Sequence, residues 1–258
     1  MGESRPTRQD EIAALRLGID LGMTLIDTAE MYGEGGAEEI VAEAIADQRE
    51  RVFVVTKVYP HNASRSQLPE ACGRSLKRLQ IDTIDLYLLH WRGDIPLGET
   101  VTAFEKLRDQ GKIRRWGVSN FDVADMKEVV GLDGRASRCS ANQVLYNLEE
   151  RAIESGLLPW CRDRHIPIMA YAPVGHGRGL LENPALKQIA RNHEATPAQI
   201  ALAWLLQQAS VIAIPKATTQ EHVRENAASP EMSLTESELA ELKRAFPPPK
   251  SRQPLPML

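Results

Sequence analysis

Short apolar runs alternate with amphipathic segments along the whole chain. Seven runs have the length and the β-branched, apolar composition of strands. They cover residues 24–27, 52–56, 84–89, 113–119, 141–144, 166–170 and 211–214. Several are apolar almost throughout, as expected for parallel strands that are covered on both faces.

The segments between these runs predict helices with recognisable ends. In the helix predicted over residues 8–21, Ile12, Leu15 and Ile19 share one face, and Gly22 ends the helix. The other start signals are Asp122 as an N-cap, Thr196 followed by Pro197, and the capping-box pair Thr235 and Glu238.

The alternation of strands and helices indicates an α/β fold with one parallel sheet. No low-complexity linker divides the chain, so residues 1–247 are predicted to form a single domain, followed by a proline-rich tail over residues 248–258. A TIM barrel, (β/α)8, needs eight strands. Because seven are counted and the chain opens with a helix, the first strand is the one expected to be missing.

Composition and charge narrow the class of protein. The chain has 258 residues, and its 43% hydrophobic and 26% charged residues are ordinary for a soluble enzyme. The formal net charge of -4 provides no positive field to hold nucleic acid or an anionic membrane. No signal peptide opens the chain and no run approaches the roughly 18 apolar residues of a membrane span, which predicts a cytoplasmic protein. We expect a monomer, with association through an open barrel edge as the alternative.

The three cysteines, Cys72, Cys139 and Cys161, are far apart and form no CxxC pattern. Their number and spacing argue for a reducing compartment and against a disulfide framework or a zinc site. We expect all three to be small buried apolar residues. No group of His, Asp or Cys has the spacing of metal ligands, so no metal is expected.

Polar or aromatic side chains stand at the carboxyl end of every predicted strand, where barrel enzymes collect their active-site residues. In chain order they are Asp27 and Tyr32, Lys57, His90 and Trp91, Ser119 and Asn120, Asn142 and Gln143, Tyr171, and Lys216. Each alone has an ordinary explanation as a turn, packing or surface residue. Their occurrence on successive strand ends favours one shared site.

The motifs around these residues resemble those of the aldo-keto reductase family. The matching stretches are GMTLIDTAEMYG at 22–33, TK at 56–57, LHW at 89–91, GKIRRWGVSNF at 111–121, NQ at 142–143 and IPKA at 214–217. They follow the family's order over residues 8–247. The resemblance implies a (β/α)8 barrel, here without the family's N-terminal hairpin and first strand. The sequence of residues 142–161 is most similar to that of bacterial reductases of methylglyoxal and other small carbonyls.

The resemblance implies that the chain reduces small aldehydes or ketones with NADPH. Tyr32 would be the general acid that protonates the carbonyl oxygen. The Lys57 ammonium would strengthen this acid by favouring the phenolate, and Asp27 would hold Lys57 in place. His90 would orient the carbonyl and stabilise its developing charge, and Trp91 would form a wall of the substrate pocket.

The resemblance also implies a set of cofactor-binding residues. Ser119, Asn120 and Gln143 would bind the nicotinamide carboxamide, Tyr171 would stack on its ring, and Glu225 and Asn226 would contact adenine. Lys216 would meet the 2′-phosphate, which favours NADP over NAD. At His222 many family members have an arginine, so a weaker grip on this phosphate is expected. The glycines at 175, 177 and 179 predict a short loop over the pyrophosphate.

Two other functions stay open on the sequence. Lys57 could form a Schiff base in an aldolase-like lyase, although the SN, NQ and IPK motifs would then have no purpose. The chain could also be a non-catalytic module that binds NADPH and regulates a partner protein.

Overall fold

The protein is described by a computed structural model that covers residues 7–132, 138–176, 179–251 and 253–258. The chain divides into two compact units. The first comprises Met1–Asn142 with Thr218–Gln220, and the second comprises Gln143–Ala217 with Glu221–Leu258. The single domain predicted over residues 1–247 stays a prediction.

The first unit is built from strands and helices in regular alternation. Its elements are α1 (Arg8–Asp20), β1 (Leu25–Asp27), α2 (Gly36–Ile45), β2 (Phe53–Val58), α3 (Gln67–Leu79), β3 (Ile84–Leu89), α4 (Leu97–Asp109), β4 (Ile113–Ser119), α5 (Val123–Gly131) and the first residues of β5 (Cys139–Leu145). Strands β1 to β4 pair in parallel in chain order. Their carboxyl ends therefore lie along the same edge of the sheet.

Burial follows the apolar pattern that predicts these elements. All six residues of β3 are buried, including Asp85, whose carboxylate accepts hydrogen bonds from Arg49 and from the backbone N–H of Val54. In β4, Gly117 is required because a Cβ atom there would lie 2.6 Å from the carbonyl oxygen of Ala141. The strands that carry the site are thus held in a closely packed core.

The second unit contains a parallel strand pair and the remaining helices. Strand β6 (Ile168–Tyr171) pairs with β7 (Val211–Ile214), with Ile168 opposite Val211 and Tyr171 opposite Ile214. The helices are α6 (Leu157–Arg162), α7 (Gly179–Glu182), α8 (Pro184–Asn192), α9 (Pro197–Leu206), α10 (Gln220–Ala228) and α11 (Glu236–Ala245).

The predicted elements are confirmed with small shifts at their ends. The part of the chain that the structure describes holds seven strands, each overlapping one of the predicted runs. Asp122 caps α5 by accepting from the backbone N–H groups of Ala124 and Asp125, and the capping box of Thr235 and Glu238 is present. Leu15 of α1 is only half-buried. Gly177, one of the three loop glycines, lies outside the described residues.

Two further expectations concern the helices and the cysteines. All three cysteines are buried thiols, as predicted. Among the described residues, none of the helices is both long enough and apolar enough to cross a membrane.

Candidate active site

Lys57 is the centre of the candidate site in the first unit. It lies in β2, and its side chain is 0% exposed. Its Nζ atom donates to Oδ2 of Asp27 at 2.7 Å, to the carbonyl oxygen of Thr28 at 2.8 Å and to the hydroxyl oxygen of Tyr32 at 3.2 Å. An ammonium has three N–H donors, and these three contacts use all of them. The side chain is therefore fixed in one orientation.

Charge on Lys57 is maintained in spite of its burial. Burial is the largest influence and disfavours the ammonium, but the Asp27 carboxylate and the Tyr32 hydroxyl together outweigh it. The pKa of Lys57 is consequently raised above its ordinary value. Lys57 is a permanent cation at neutral pH, placed against the oxygen of a phenol.

The segment between Asp27 and Tyr32 runs alongside the end of β2. The N–H of Thr28 donates to the carbonyl oxygen of Val55 at 2.8 Å, and the N–H of Glu30 donates to that of Lys57 at 3.2 Å. The chain then turns at a short 3-10 helix, Tyr32–Gly35, in which Gly35 has a φ of +92°. This path brings the Tyr32 hydroxyl back to Lys57.

His90 follows β3 and faces Tyr32. Its backbone N–H donates to the carbonyl oxygen of Val58 at 3.0 Å, and its ring meets the Tyr32 ring edge to face at 5.7 Å between centroids. Burial, followed by repulsion from the Lys57 charge, lowers the pKa of His90 to about 3. The imidazole is therefore neutral at physiological pH. Its Nδ1 atom is buried and has no hydrogen-bond partner among the described residues.

Ser119 and Asn120 stand beside His90 at the end of β4. The Asn120 amide donates to the carbonyl oxygen of His90 at 3.2 Å and to the Ser119 hydroxyl at 3.3 Å. Asn120 has a φ of +60°, a conformation that asparagine tolerates better than most residues. Asn142, the first residue of the NQ pair, donates to the carbonyl oxygen of Phe121 at 2.8 Å and so supports the backbone that follows.

An aromatic corner, formed by Tyr59, His61 and Trp91, adjoins these residues. The Tyr59 ring stacks on His61 at 4.8 Å and meets Trp91 edge to face at 5.9 Å, and Trp91 lies 4.9 Å from His90. Trp91 was predicted as a wall of the substrate pocket. Sequence reasoning missed Tyr59, although its place two residues after Lys57, at a strand end, was the available signal.

The second unit carries the other predicted cofactor-binding residues. Gln143 is buried in β5, Tyr171 ends β6 half-buried, and Lys216 follows β7 as an exposed cation. His222, Glu225 and Asn226 all lie on α10, where their spacing of three and four residues places them on one face of the helix. His222 is exposed, and Glu225 and Asn226 are half-buried. The structure thus groups three of the six on one helix face.

The order of chemistry-bearing residues at these strand ends agrees with a family comparison. The model of the aldo/keto reductase family matches residues 1–246. The chain belongs to the aldo-keto reductase family. The resemblance predicted from the strand-end motifs is therefore confirmed.

Named relatives show where this member stands within the family. The chain is 53% identical to methylglyoxal reductase YeaE of Escherichia coli, over 100% of the chain and 92% of that protein. It is 34% identical to glyoxal reductase of Bacillus subtilis, over 88% of the chain and 80% of that protein.

Solved structures give the same result for the fold. The structure matches a crystal structure of an aldo/keto reductase from Klebsiella pneumoniae in complex with NADP and acetate, with a TM-score of 0.98 and 50% identity, over 100% of this chain and 92% of that chain. A crystal structure of an aldo-keto reductase from Klebsiella pneumoniae in complex with NADPH matches equally well, with a TM-score of 0.98. This likeness confirms the predicted aldo-keto reductase (β/α)8 fold class.

Proposed function

We propose that this aldo-keto reductase reduces small aldehydes and ketones to alcohols with NADPH, and that Tyr32 supplies the proton. The observation that carries this proposal is the buried contact between Lys57 and the Tyr32 hydroxyl oxygen at 3.2 Å. Methylglyoxal and related dicarbonyls are the first candidate substrates, because two of the named relatives are a methylglyoxal reductase and a glyoxal reductase.

The direction of the hydrogen bond explains how Tyr32 can act as an acid. Lys57 donates to the hydroxyl oxygen, so the O–H of Tyr32 is left to donate to the carbonyl oxygen of a substrate. As the proton leaves, negative charge grows on the phenol oxygen, next to a fixed ammonium. Because that cation is buried, its stabilisation of the charge is stronger than it would be in water.

Asp27 keeps this charge balance in place. Its carboxylate accepts from Lys57 at 2.7 Å and offsets the cost of burying the ammonium. Without it, burial would drive Lys57 towards the neutral amine. We infer that Asp27 acts on Tyr32 through Lys57.

His90 provides a neutral donor for the carbonyl oxygen. With its pKa lowered to about 3, the imidazole keeps one N–H and one unprotonated nitrogen at every physiological pH. A neutral ring can orient the carbonyl by hydrogen bonding without competing with Tyr32 as a proton donor. It also places no second positive charge beside Lys57.

The residues proposed for the cofactor suit a nicotinamide dinucleotide phosphate in their chemistry. Bound NADPH supplies a hydride to the carbonyl carbon. The buried hydroxyl of Ser119 and the amide groups of Asn120 and Gln143 offer both donors and acceptors, as a carboxamide requires. Lys216 is exposed and cationic, which suits the 2′-phosphate. Tyr171 is proposed to stack on the nicotinamide ring, and His222, Glu225 and Asn226 are proposed to contact the adenosine end.

We also propose that the enzyme is cytoplasmic and monomeric. Three buried cysteines that are thiols rather than disulfides fit a reducing compartment.

The lyase alternative is disfavoured by the state of Lys57. A Schiff-base lysine must present a neutral amine, which requires a lowered pKa. Here the pKa of Lys57 is raised, and all three N–H groups are engaged. Its nitrogen is not available for attack on a carbonyl carbon.

The proposal is tested by following NADPH consumption with a panel of aldehydes that includes methylglyoxal and glyoxal. We expect turnover with NADPH and slower turnover with NADH. Binding of NADPH without reduction of any aldehyde would instead support the binding-module alternative. Trapping of a substrate adduct on Lys57 by borohydride would support the lyase.

A further inference from the structure

The segment from Asp27 to Tyr32, the catalytic segment, contains a buried carboxylate that the proposed chemistry does not use. Glu30 stands between Asp27 and Tyr32 and is 8% exposed. Its Oε1 atom accepts from the backbone N–H of Tyr59 at 2.7 Å and from the side-chain amide of Asn62 at 3.1 Å. One oxygen therefore holds the segment that carries Tyr32 against the turn that follows β2.

We propose that Glu30 is a positioning residue: by fixing the turn over residues 59–62 it holds the aromatic corner of Tyr59, His61 and Trp91 beside His90, and so sets how tightly bulky carbonyl substrates bind. This proposal rests on the proposed reductase function.

Besides Glu30, the Thr100 hydroxyl holds the end of the turn by donating to the carbonyl oxygen of Ala63 at 2.9 Å. Within the turn, the N–H of Asn62 donates to the carbonyl oxygen of Tyr59 at 3.0 Å, and Pro60 opens a short 3-10 helix, Pro60–Asn62. These bonds shape the turn but do not tie it to the catalytic segment. The Glu30 oxygen binds both ends of the turn, at residues 59 and 62. It thus fixes the direction in which the turn presents its side chains.

The position of the turn is passed on to Trp91 by packing. The Tyr59 ring meets Trp91 edge to face. A Cβ atom at Gly93 would lie 2.5 Å from Cβ of Pro60, so the segment that carries Trp91 rests directly on the turn. Trp91 in turn lies beside His90 at 4.9 Å. A contact path therefore runs from Glu30 through Tyr59 and Trp91 to the proposed carbonyl site.

A purely structural role for Glu30 makes different predictions. If Glu30 only satisfied a buried N–H group, its loss would lower stability and reduce activity on every aldehyde alike. If it positions the aromatic corner, the loss falls on KM and grows with substrate size. A three-carbon dicarbonyl has little surface to place against the rings, whereas an aromatic aldehyde has much more.

The kinetic test compares Glu30→Ala and Glu30→Gln with methylglyoxal and nitrobenzaldehyde as substrates. The glutamine side chain keeps the Oε1 acceptor and is the matched control. For Glu30→Ala we expect a roughly tenfold rise in KM for nitrobenzaldehyde, with KM for methylglyoxal and kcat for both aldehydes within about twofold of wild type. Glu30→Gln should restore most of the loss. Should Glu30→Ala fail to fold, Glu30→Asp replaces it, because its shorter side chain keeps the charge but withdraws the acceptor.

A double-mutant cycle tests whether Glu30 acts through Tyr59. Tyr59→Leu removes the ring, so Glu30→Ala should add little to the rise in KM that Tyr59→Leu already causes. Additive effects of the two substitutions would overturn the proposal. Equal losses with both aldehydes, without rescue by Glu30→Gln, would also overturn it.

A readout that does not need activity separates this proposal from the proposed function. Acrylamide quenching of Trp91 fluorescence is obtained as the difference between each protein and its Trp91→Phe counterpart. In Glu30→Ala the Trp91 signal should be quenched at least about twice as readily as in wild type, and in Glu30→Gln it should be unchanged. Unaltered quenching in Glu30→Ala would contradict the positioning role, whether or not the protein reduces aldehydes.

Discussion

Two lysines of this chain, both at the carboxyl end of a strand, occupy opposite environments. Lys57 in the first unit is fully buried and donates to three oxygens. Lys216 in the second unit is exposed after β7. The sequence context of the two is alike, because each follows an apolar run. The difference in their surroundings matches the proposed roles. Lys57 is proposed to act on a reacting oxygen, and Lys216 is proposed to bind a phosphate of the cofactor.

The contrast shows what a catalytic charge requires of the fold. A buried ammonium must be matched by protein oxygens, since water does not solvate it. Lys57 therefore has its partners within the first unit. A residue that binds a phosphate gains its partner from the ligand and is exposed until then. Lys57 is thus coupled to the stability of the fold, and Lys216 is largely independent of it.

The largest expected difference between the two lysines is in stability. Lys57→Met leaves the Asp27 carboxylate, only 7% exposed, without its cation, and should lower the free energy of unfolding by about 3–5 kcal/mol. Lys216→Met should change it by less than about 0.5 kcal/mol. Urea unfolding of the two variants measures this. In the Lys57→Met background, Asp27→Asn should recover part of the lost stability. Equal, small effects of Lys57→Met and Lys216→Met would show that Lys57 does not neutralise the Asp27 carboxylate as described.

The buried His90 should make the stability of the protein depend on pH. Its folded-state pKa, about 3, lies below the ordinary 6.5, so the unfolded chain binds the extra proton first as the pH falls. Its contribution to stability is therefore present above pH 6.5 and is lost on acidification. Between pH 6.5 and 4.5 the loss is about 2–3 kcal/mol, at roughly 1.4 kcal/mol per unit.

Urea unfolding at pH 7 and pH 4.5 checks this sign and size. The His90→Gln variant should lose less stability than wild type over this interval, by about the amount given above. His61→Gln, at an exposed histidine of the same unit, is the control and should follow wild type. An identical acid dependence in wild type and His90→Gln would show that His90 is not buried in its neutral form.

Lys216 should affect the binding of NADPH although it does not affect the stability of the fold. Lys216→Met is expected to raise the Kd for NADPH about tenfold, or roughly 1.4 kcal/mol, through loss of one charge-assisted contact to the 2′-phosphate. The Kd for NADH should change by less than about twofold. Titration of the variant with both cofactors gives the two values. A parallel loss for NADH would place Lys216 away from the 2′-phosphate.

The smallest effect is expected at His222. Because arginine is always charged and can bind a phosphate through two N–H groups, His222→Arg should tighten NADPH binding about three- to fivefold. His222→Gln serves as the neutral comparison and should leave the Kd within about twofold. If His222→Arg gave no gain, α10 would not present residue 222 to the phosphate.

The sequence was sufficient to predict the strands and the four proposed catalytic residues. Asp27, Lys57 and His90 could be found because parallel strands bring their carboxyl ends to one edge, and Tyr32 follows Asp27 within the same motif. Glu30 could not be found in this way, and Tyr59 was missed although it directly follows the end of β2. Their contact is made between two loops, whose paths depend on turn geometry and packing rather than on periodicity.

The central claim is that Tyr32 donates the proton while other residues bind the cofactor. It is tested most directly by measuring NADPH binding and aldehyde turnover side by side in wild type and Tyr32→Phe. We predict that Tyr32→Phe, which lacks only the hydroxyl, binds NADPH within about twofold of wild type and loses about 10²–10⁴-fold in kcat for methylglyoxal. Turnover by Tyr32→Phe within a few-fold of wild type would contradict the account.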